Sequence, residues 1–252
     1  MTAPRVLVVE HQRDAGLGLV GERLAHAGVL VDQVGPDVGR EVPDSLDGYD
    51  GLIVLGGSMG PTDDERAPWL PATRQLLAEG VNRELPTLGI CLGAQLLVTA
   101  TGGRVGTMPT GPEVGLQTVT FDESATGDPL FGGFAGAEVP AVQWHWLAAE
   151  ALPAQTEVFA SSAACATQAF RIGPRAWGVQ FHPEALGDTA RDWADDTGDD
   201  LVELGLDGDA VVDSVRAAET ELRAAWSQVA DRFAAQVAQQ HASTASTSAR
   251  TV

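Results

Sequence analysis

Apolar positions along the first hundred residues switch between two periods, and the switching predicts a βαβ series. Val6 to Val9 is a short continuous apolar run, the pattern of a buried strand. Leu17, Val20 and Leu24 then recur on one helical face, closed by Gly28. Val29 to Val34 reads as a second strand, and Gly51 to Leu55 as a third whose unbroken apolar run suits a central parallel strand. Pro68 to Gly80 reads as a helix opened by proline, Leu85 to Ile90 as a buried strand, and Gly93 to Thr101 as a helix ended by Gly102 and Gly103. Such alternation implies an α/β fold, a doubly wound, mostly parallel sheet with helices on both faces. Ligands in these sheets bind beyond the carboxyl ends of the strands, where Gly56-Gly57-Ser58 and Cys91 both fall.

From Gly115 the pattern changes to short β segments separated by Gly and Pro turns: Leu116 to Phe121, Val142 to Trp146, Val158 to Ser161, Gln168 to Ile172 and Ala176 to Phe181. They read as strands continuing the same domain. The acidic run Asp195 to Asp200 reads as a solvated loop, and Val212, Val215, Leu222, Trp226, Val229 and Phe233 fall at helical spacing within Val211 to Val237. Beyond His241 the chain has too little hydrophobicity to fold, so a single domain is expected over 1–240 and a disordered tail over 241–252.

Composition narrows the chemistry. The 252 residues suffice to bury a substantial core. Thirty-five acidic residues face 15 basic ones, every one of them arginine, for a formal net charge of −20. Without lysine there is no phosphate-loop motif, no Schiff base and no ordinary pyridoxal phosphate anchor. The acidity argues against a nucleic-acid partner, which needs a clustered basic face, and reads most simply as solubility. Cys91 and Cys165 have neither zinc-site spacing nor the density of a disulfide scaffold, so no metal or cofactor is expected, and a reducing, cytoplasmic setting is the simplest inference. Met1 to Arg5 runs straight into an apolar strand too short for a signal peptide or a span, so no membrane association is expected.

The reactive residues stand out against that background. Gly89-Ile90-Cys91-Leu92-Gly93 joins a strand to a helix through a glycine-flanked turn, the form of a nucleophile elbow. A helix N-terminus there favours a negatively charged sulfur. Far downstream, Val179-Gln180-Phe181-His182-Pro183-Glu184 supplies a base and an orienting carboxylate, which completes an acyl-transfer apparatus. A cysteine in an apolar segment is ordinarily an inert packed residue. The glycines and the His-x-Glu run move Cys91 away from that reading, whereas Cys165 lacks such context and reads as packed. His145, between Trp144 and Trp146, either lines a pocket or serves the packing.

Gly89 to Gln95 together with Val179 to Glu184 resembles the class I glutamine amidotransferases, the Cys-His-Glu group. Gly56-Gly57 after a buried strand matches that family's third landmark, in the same order over most of the chain. The subgroup it most resembles is the stand-alone type similar to the glutaminase portion of GMP synthetase, through Glu113-Val114-Gly115, Trp144-His145-Trp146 and Gln168-Ala169-Phe170. The resemblance implies a flavodoxin-like fold and a mechanism in which Cys91 attacks the side-chain amide of glutamine, His182 moves the protons, and Glu184 holds the imidazole. It implies an oxyanion hole from the N–H groups of Gly57 and Leu92, and makes Ser58, Gln95 and His145 substrate-binding candidates. Two positions depart from the family pattern: Ser58-Met59-Gly60 follows the paired glycines where many relatives have proline, and Trp146-Leu147 follows His145 where an acidic residue is common.

Three functions compete. A glutaminase would hydrolyse glutamine and pass ammonia to a separate synthetase partner, since the chain has no ATP-binding loop of its own. A free-standing hydrolase or transferase would apply the same thioester chemistry to other γ-glutamyl peptides or amides. A noncatalytic binding protein on the same fold is the third, and the intact triad disfavours it.

Overall fold

The computed structural model describes residues 2–250, with side chains through residue 246. The expected alternation forms as β1 (Arg5–Val9), α1 (Gly18–His26), β2 (Leu30–Val34), β3 (Gly51–Val54), α2 (Leu70–Asn82), β4 (Thr87–Ile90) and α3 (Leu92–Ala100). The β-rich stretch follows as β5 (Arg104–Thr107), β6 (Glu113–Phe121), β7 (Glu138–His145), β8 (Leu147–Ala151), β9 (Thr156–Ser161), β10 (Ala169–Ile172) and β11 (Ala176–Val179). The described residues end in the helices α4 (Gly187–Asp196), α5 (Gly198–Glu203), α6 (Gly208–Ala217) and α7 (Glu219–Arg250).

Among the described residues, nine strands make one sheet in the order β2-β1-β3-β4-β11-β10-β9-β6-β7. The run from β2 to β11 is parallel, and the run from β11 to β7 is antiparallel. β5 and β8 form a separate antiparallel ribbon. Alternation along the central strands explains the two faces. Val6 and Val8 of β1 and Ile53 of β3 enter one core, together with Leu19, Val20 and Leu24 of α1 and Trp226 and Phe233 of α7. Leu7, Val9, Leu52 and Val54 enter the other, under Leu76 and Leu77 of α2 and Leu96 and Leu97 of α3. Full burial of such a side chain contributes about 1.5–3 kcal/mol before conformational entropy is set against it. No described helix is long and apolar enough to cross a membrane.

Three expectations are corrected. The acidic run is not a solvated loop: Asp195 and Asp196 end α4 and Asp199 and Asp200 open α5. Ala190, Trp193, Ala194 and Leu201 bury the inner face of these two helices, and Thr197 closes the first by donating to the Trp193 carbonyl at 2.7 Å. The long helical pattern over Val211 to Val237 breaks at Ala218, where α6 ends and Glu219 starts α7; the Glu219 carboxylate accepts the Gly187 N–H at the start of α4 at 3.0 Å. The tail expected to be disordered from 241 continues α7 as helix to Arg250, while residues 251–252 lie outside the described residues. His241 fastens this stretch to the start of the chain, its Nδ1 2.9 Å from Asp50 Oδ2 and its Nε2 2.8 Å from the Thr2 carbonyl. Thr244 and Ser246 donate back to helical carbonyls four residues earlier, so their hydroxyls are satisfied within the helix.

Asp207 caps α6, accepting from the N–H groups of Asp209 at 2.9 Å and Ala210 at 3.2 Å. Asp207→Ala is expected to cost about 1 kcal/mol, read as a lower urea midpoint at unchanged slope. An unshifted midpoint would show that the cap contributes nothing.

Candidate active site

The carboxyl ends of three adjacent parallel strands, β3, β4 and β11, deliver the candidate residues to one place. Cys91 follows β4 as the N-cap of α3 with φ 49° and ψ −107°. An L-residue held there stores on the order of 1–3 kcal/mol of strain, so the surroundings must fix it. The Cys91 N–H donates to Val179 O at 2.8 Å, and the Gln95 and Gly93 N–H groups donate to Cys91 O and Leu55 O, both at 3.1 Å. The elbow is pressed onto β3 so closely that a Cβ on Gly93 would stand 1.9 Å from Val54 O.

β11 carries the chain into His182 and Glu184. The His182 N–H donates to Val142 O at 2.9 Å, and its Nδ1 lies 2.7 Å from Glu184 Oε1, with both side chains buried. Its Nε2 has no hydrogen-bond partner among the described residues. Gly56 leaves room for this ring: a Cβ there would stand 3.0 Å from His182 Cε1 and 3.7 Å from Cys91 Cβ. Trp193 packs against the ring at a centroid distance of 4.5 Å. Burial opposes a charge on His182, and the negative groups of Glu184 and Cys91 outweigh that opposition, so its pKa is pushed up to about 10. Around Cys91, the Sγ lies 3.6 Å from Gln180 Nε2, a donor, and 3.9 Å from Trp144 O.

A cavity of about 440 Å³ opens over Cys91 and His182. Gly57, Ser58, Gln95 and His145 line it. The N–H groups of Gly57 and Leu92 have no hydrogen-bond partner among the described residues. Ser58 donates its N–H to Gln12 Oε1 at 2.7 Å, and Gln95 Nε2 donates to Leu147 O at 3.0 Å and Gln180 Oε1 at 3.3 Å. His145 is more committed to the protein: its Nδ1 lies 3.0 Å from Leu147 O and its Nε2 3.2 Å from Glu113 Oε2.

Glu113 also accepts from Ser162 Oγ at 2.6 Å and Gln168 Nε2 at 2.7 Å. Burial pushes its carboxyl up, but the hydrogen bonds from His145 and Ser162 prevail and hold it below the usual range. The three distant segments around Glu113, His145 and Gln168 thus meet in one buried polar cluster behind the cavity wall. Cys165 is buried beside it, its thiol pushed up by desolvation, and it does not line the cavity. Sequence reasoning gave no role to Gln180, Trp193, Asp196 or Asp200, although the first touches Cys91 and the others line the cavity. The spacing of Ala190, Trp193 and Ala194 on one helical face was the available signal for α4.

Comparison with known proteins bears on the family and the fold. The sequence model of the family described as glutamine amidotransferase class-I matches residues 17–193. Gamma-glutamyl peptidase 3 of Arabidopsis thaliana is 30% identical over 143 residues, which cover 55% of this chain and 56% of that protein. The chain therefore spans little more than half the length of that relative. One subunit of the glutamine-hydrolyzing GMP synthase of Natronomonas pharaonis is 35% identical over 143 residues, 56% of this chain and 69% of that one. A crystal structure of a glutamine amidotransferase from Thermotoga maritima superposes with a TM-score of 0.82 at 26% identity, covering 93% of this chain and 99% of the other. With a family match across most of its length and the same fold, the chain belongs to the class I glutamine amidotransferases.

Proposed function

We propose that this chain hydrolyses γ-glutamyl C–N bonds through a cysteine thioester. The observation that carries the reading is the buried alignment of Cys91, His182 and Glu184 at the mouths of adjacent strands, with Nε2 of His182 unpartnered among the described residues. The Cys91 sulfur attacks the γ-carbonyl carbon, and the resulting oxyanion is held by the N–H groups of Gly57 and Leu92. A donor of that kind contributes ~2.7–4 kcal/mol to the transition state. His182 gives its proton to the leaving nitrogen, the C–N bond breaks, and a γ-glutamyl thioester remains. His182 then takes a proton from water as it attacks the thioester, releasing glutamate and restoring the thiolate. Glu184 keeps the imidazole in one orientation and stabilises its charged form. A reduced Cys91 fits a cytoplasmic setting.

The leaving group divides two readings. The cavity holds more than a glutamine side chain needs, which favours amides of larger amines released directly to solvent. The likeness to a GMP synthase subunit favours the other, in which glutamine is the substrate and ammonia passes to a synthetase partner. Glutamate release from glutamine and from a panel of γ-glutamyl peptides separates them. Faster turnover of peptides than of glutamine supports the free-standing hydrolase; turnover of glutamine alone, rising when a synthetase is added, overturns it.

Two expected results test the roles. Glu184→Gln should leave a slow enzyme, down roughly 10²–10⁴-fold in kcat, because nucleophile and oxyanion donors persist. A kcat equal to wild type would remove Glu184 from the mechanism. Turnover should also fall as pH rises through about 10, where His182 gives up the proton destined for the leaving nitrogen. A rate still climbing beyond that pH would assign the proton to another donor.

A further inference from the structure

Gln180 touches the Cys91 sulfur, and the cleavage chemistry above gives it no part. It is buried where β11 runs on toward His182, and the backbone on both sides of it is fixed. The Val179 carbonyl takes the Cys91 N–H at 2.8 Å, the Gln180 N–H donates to Gln168 O at 2.9 Å, and Phe181 packs on Trp226 at a centroid distance of 4.5 Å. Two polar atoms from outside the triad face the sulfur, and they favour different states of it. Trp144 O, at 3.9 Å, only accepts, so it suits a thiol that still carries its proton. Gln180 Nε2, at 3.6 Å, donates, and a hydrogen bond of that kind strengthens when the sulfur is charged.

An amide turned the other way would aim its oxygen at the sulfur and oppose the charge, so the direction of this one needs a cause. Leu147 O can only accept, and Gln95 Nε2 lies 3.0 Å from it, which fixes the NH2 end of Gln95 there. The same Nε2 donates to Gln180 Oε1 at 3.3 Å. The end of Gln180 nearest Gln95 is therefore its oxygen, and the NH2 is left for Cys91. The Leu147 carbonyl is held by a second donor, His145 Nδ1 at 3.0 Å, and that ring is anchored by Glu113 Oε2, 3.2 Å from its Nε2. Contacts thus run without a break from a buried carboxylate to the sulfur, and they turn the amide N–H toward Cys91. We infer that Gln180 is a catalytic residue whose amide N–H holds the Cys91 sulfur as the thiolate, and that Gln95 is the positioning residue that keeps this amide turned toward it. This rests on the thioester reading above. The amide is neutral and exchanges no proton, so the bonds made and broken in that reaction are unchanged; what it raises is the share of protein whose sulfur is ready to attack.

The test reads the sulfur itself. Alkylation of the full chain by iodoacetamide, followed by mass spectrometry on the peptide containing Cys91, gives a rate that rises with pH through the midpoint of the thiol. Cys165 is buried, so its peptide serves as the internal reference. In Gln180→Met, which keeps the length and removes the donor, the midpoint should rise by about one unit, and the acid limb of the kcat/KM profile should move up with it. On that limb turnover should fall about three- to tenfold, less than the thiolate itself, because a more basic sulfur attacks faster. Gln95→Met leaves Gln180 in place but frees its amide to turn, and it should move the midpoint the same way by a smaller amount. An unchanged midpoint in Gln180→Met overturns the inference whatever the melting temperature does, since a role in packing alone lowers stability without moving the titration of the sulfur. If that variant does not fold, Gln95→Met decides: a raised midpoint supports the inference, and an unchanged midpoint with only KM raised overturns it. Absence of Cys91-dependent hydrolysis of glutamine and of γ-glutamyl peptides by the wild type defeats the thioester reading separately, and alkylation still decides whether Gln180 holds the sulfur.

Discussion

Alanine at position 91 is expected to abolish γ-glutamyl turnover and leave the fold as it is. The substitution removes only the sulfur. The N–H to Val179 O bond and the two bonds that open α3 are backbone contacts and persist, and alanine keeps the Cβ already accommodated at φ 49°. The loss should be at least about 10⁴-fold in kcat, because Cys165, the other cysteine, does not line the cavity, and the donors at Gly57 and Leu92 would have no thiolate attack to stabilise. The thermal midpoint should stay within about 2 °C, a change of less than roughly 1 kcal/mol for a chain of this size. Comparable activity in the wild type and Cys91→Ala would sink the thioester mechanism. Mass spectrometry of the wild type quenched during turnover of a slow amide should show a γ-glutamyl adduct on the peptide containing Cys91, and none in the variant.

Gly93→Ala should have the opposite character, damaging the fold and the site together. Its Cβ would come within 1.9 Å of Val54 O and 2.7 Å of the Val54 carbonyl carbon, and both obstacles are backbone of a central strand. Neither can move without displacing β3 from β1 and β4. The expected cost is above about 3 kcal/mol, a fall of roughly 6–12 °C in melting temperature. Folded protein that remains should turn over slowly, since the start of α3 must shift and carry Cys91 with it. Gly198→Ala is the control: it sits at the start of α5, and an added Cβ there meets nothing within 4 Å. Similar melting temperatures for the two variants would show that the elbow yields easily.

What could be read from the sequence was what local pattern encodes. The central strands were legible because Val6 to Val9 and Gly51 to Leu55 are apolar on both faces, and the structure buries both faces. The elbow was legible because glycine at 89 and 93 is a steric demand made within five residues. Features set by pairing across the sheet were not. Glu113 stands opposite His145 in the β6–β7 register, and no local period announces that partnership. The β5–β8 ribbon was missed because Arg104 to Thr107 has almost no apolar content and is paired only by a later strand. In α4 the acidic residues drew attention to the solvent face, while the contacts of Trp193 with His182 and Trp144 set the position of the helix.

The place of β11 in the sheet also bears on how the reactive centre comes into being. It lies between β4 and β10, pairing in parallel with a strand made long before it in the chain. Until β11 docks, the Cys91 N–H lacks the Val179 carbonyl that pins the elbow, and the sulfur has no imidazole beside it. Pairings of such sequence separation carry a large loop-closure cost and form slowly. On the mechanism proposed above, a chain in which β11 has not docked holds the cysteine without its base, so turnover awaits completion of the sheet.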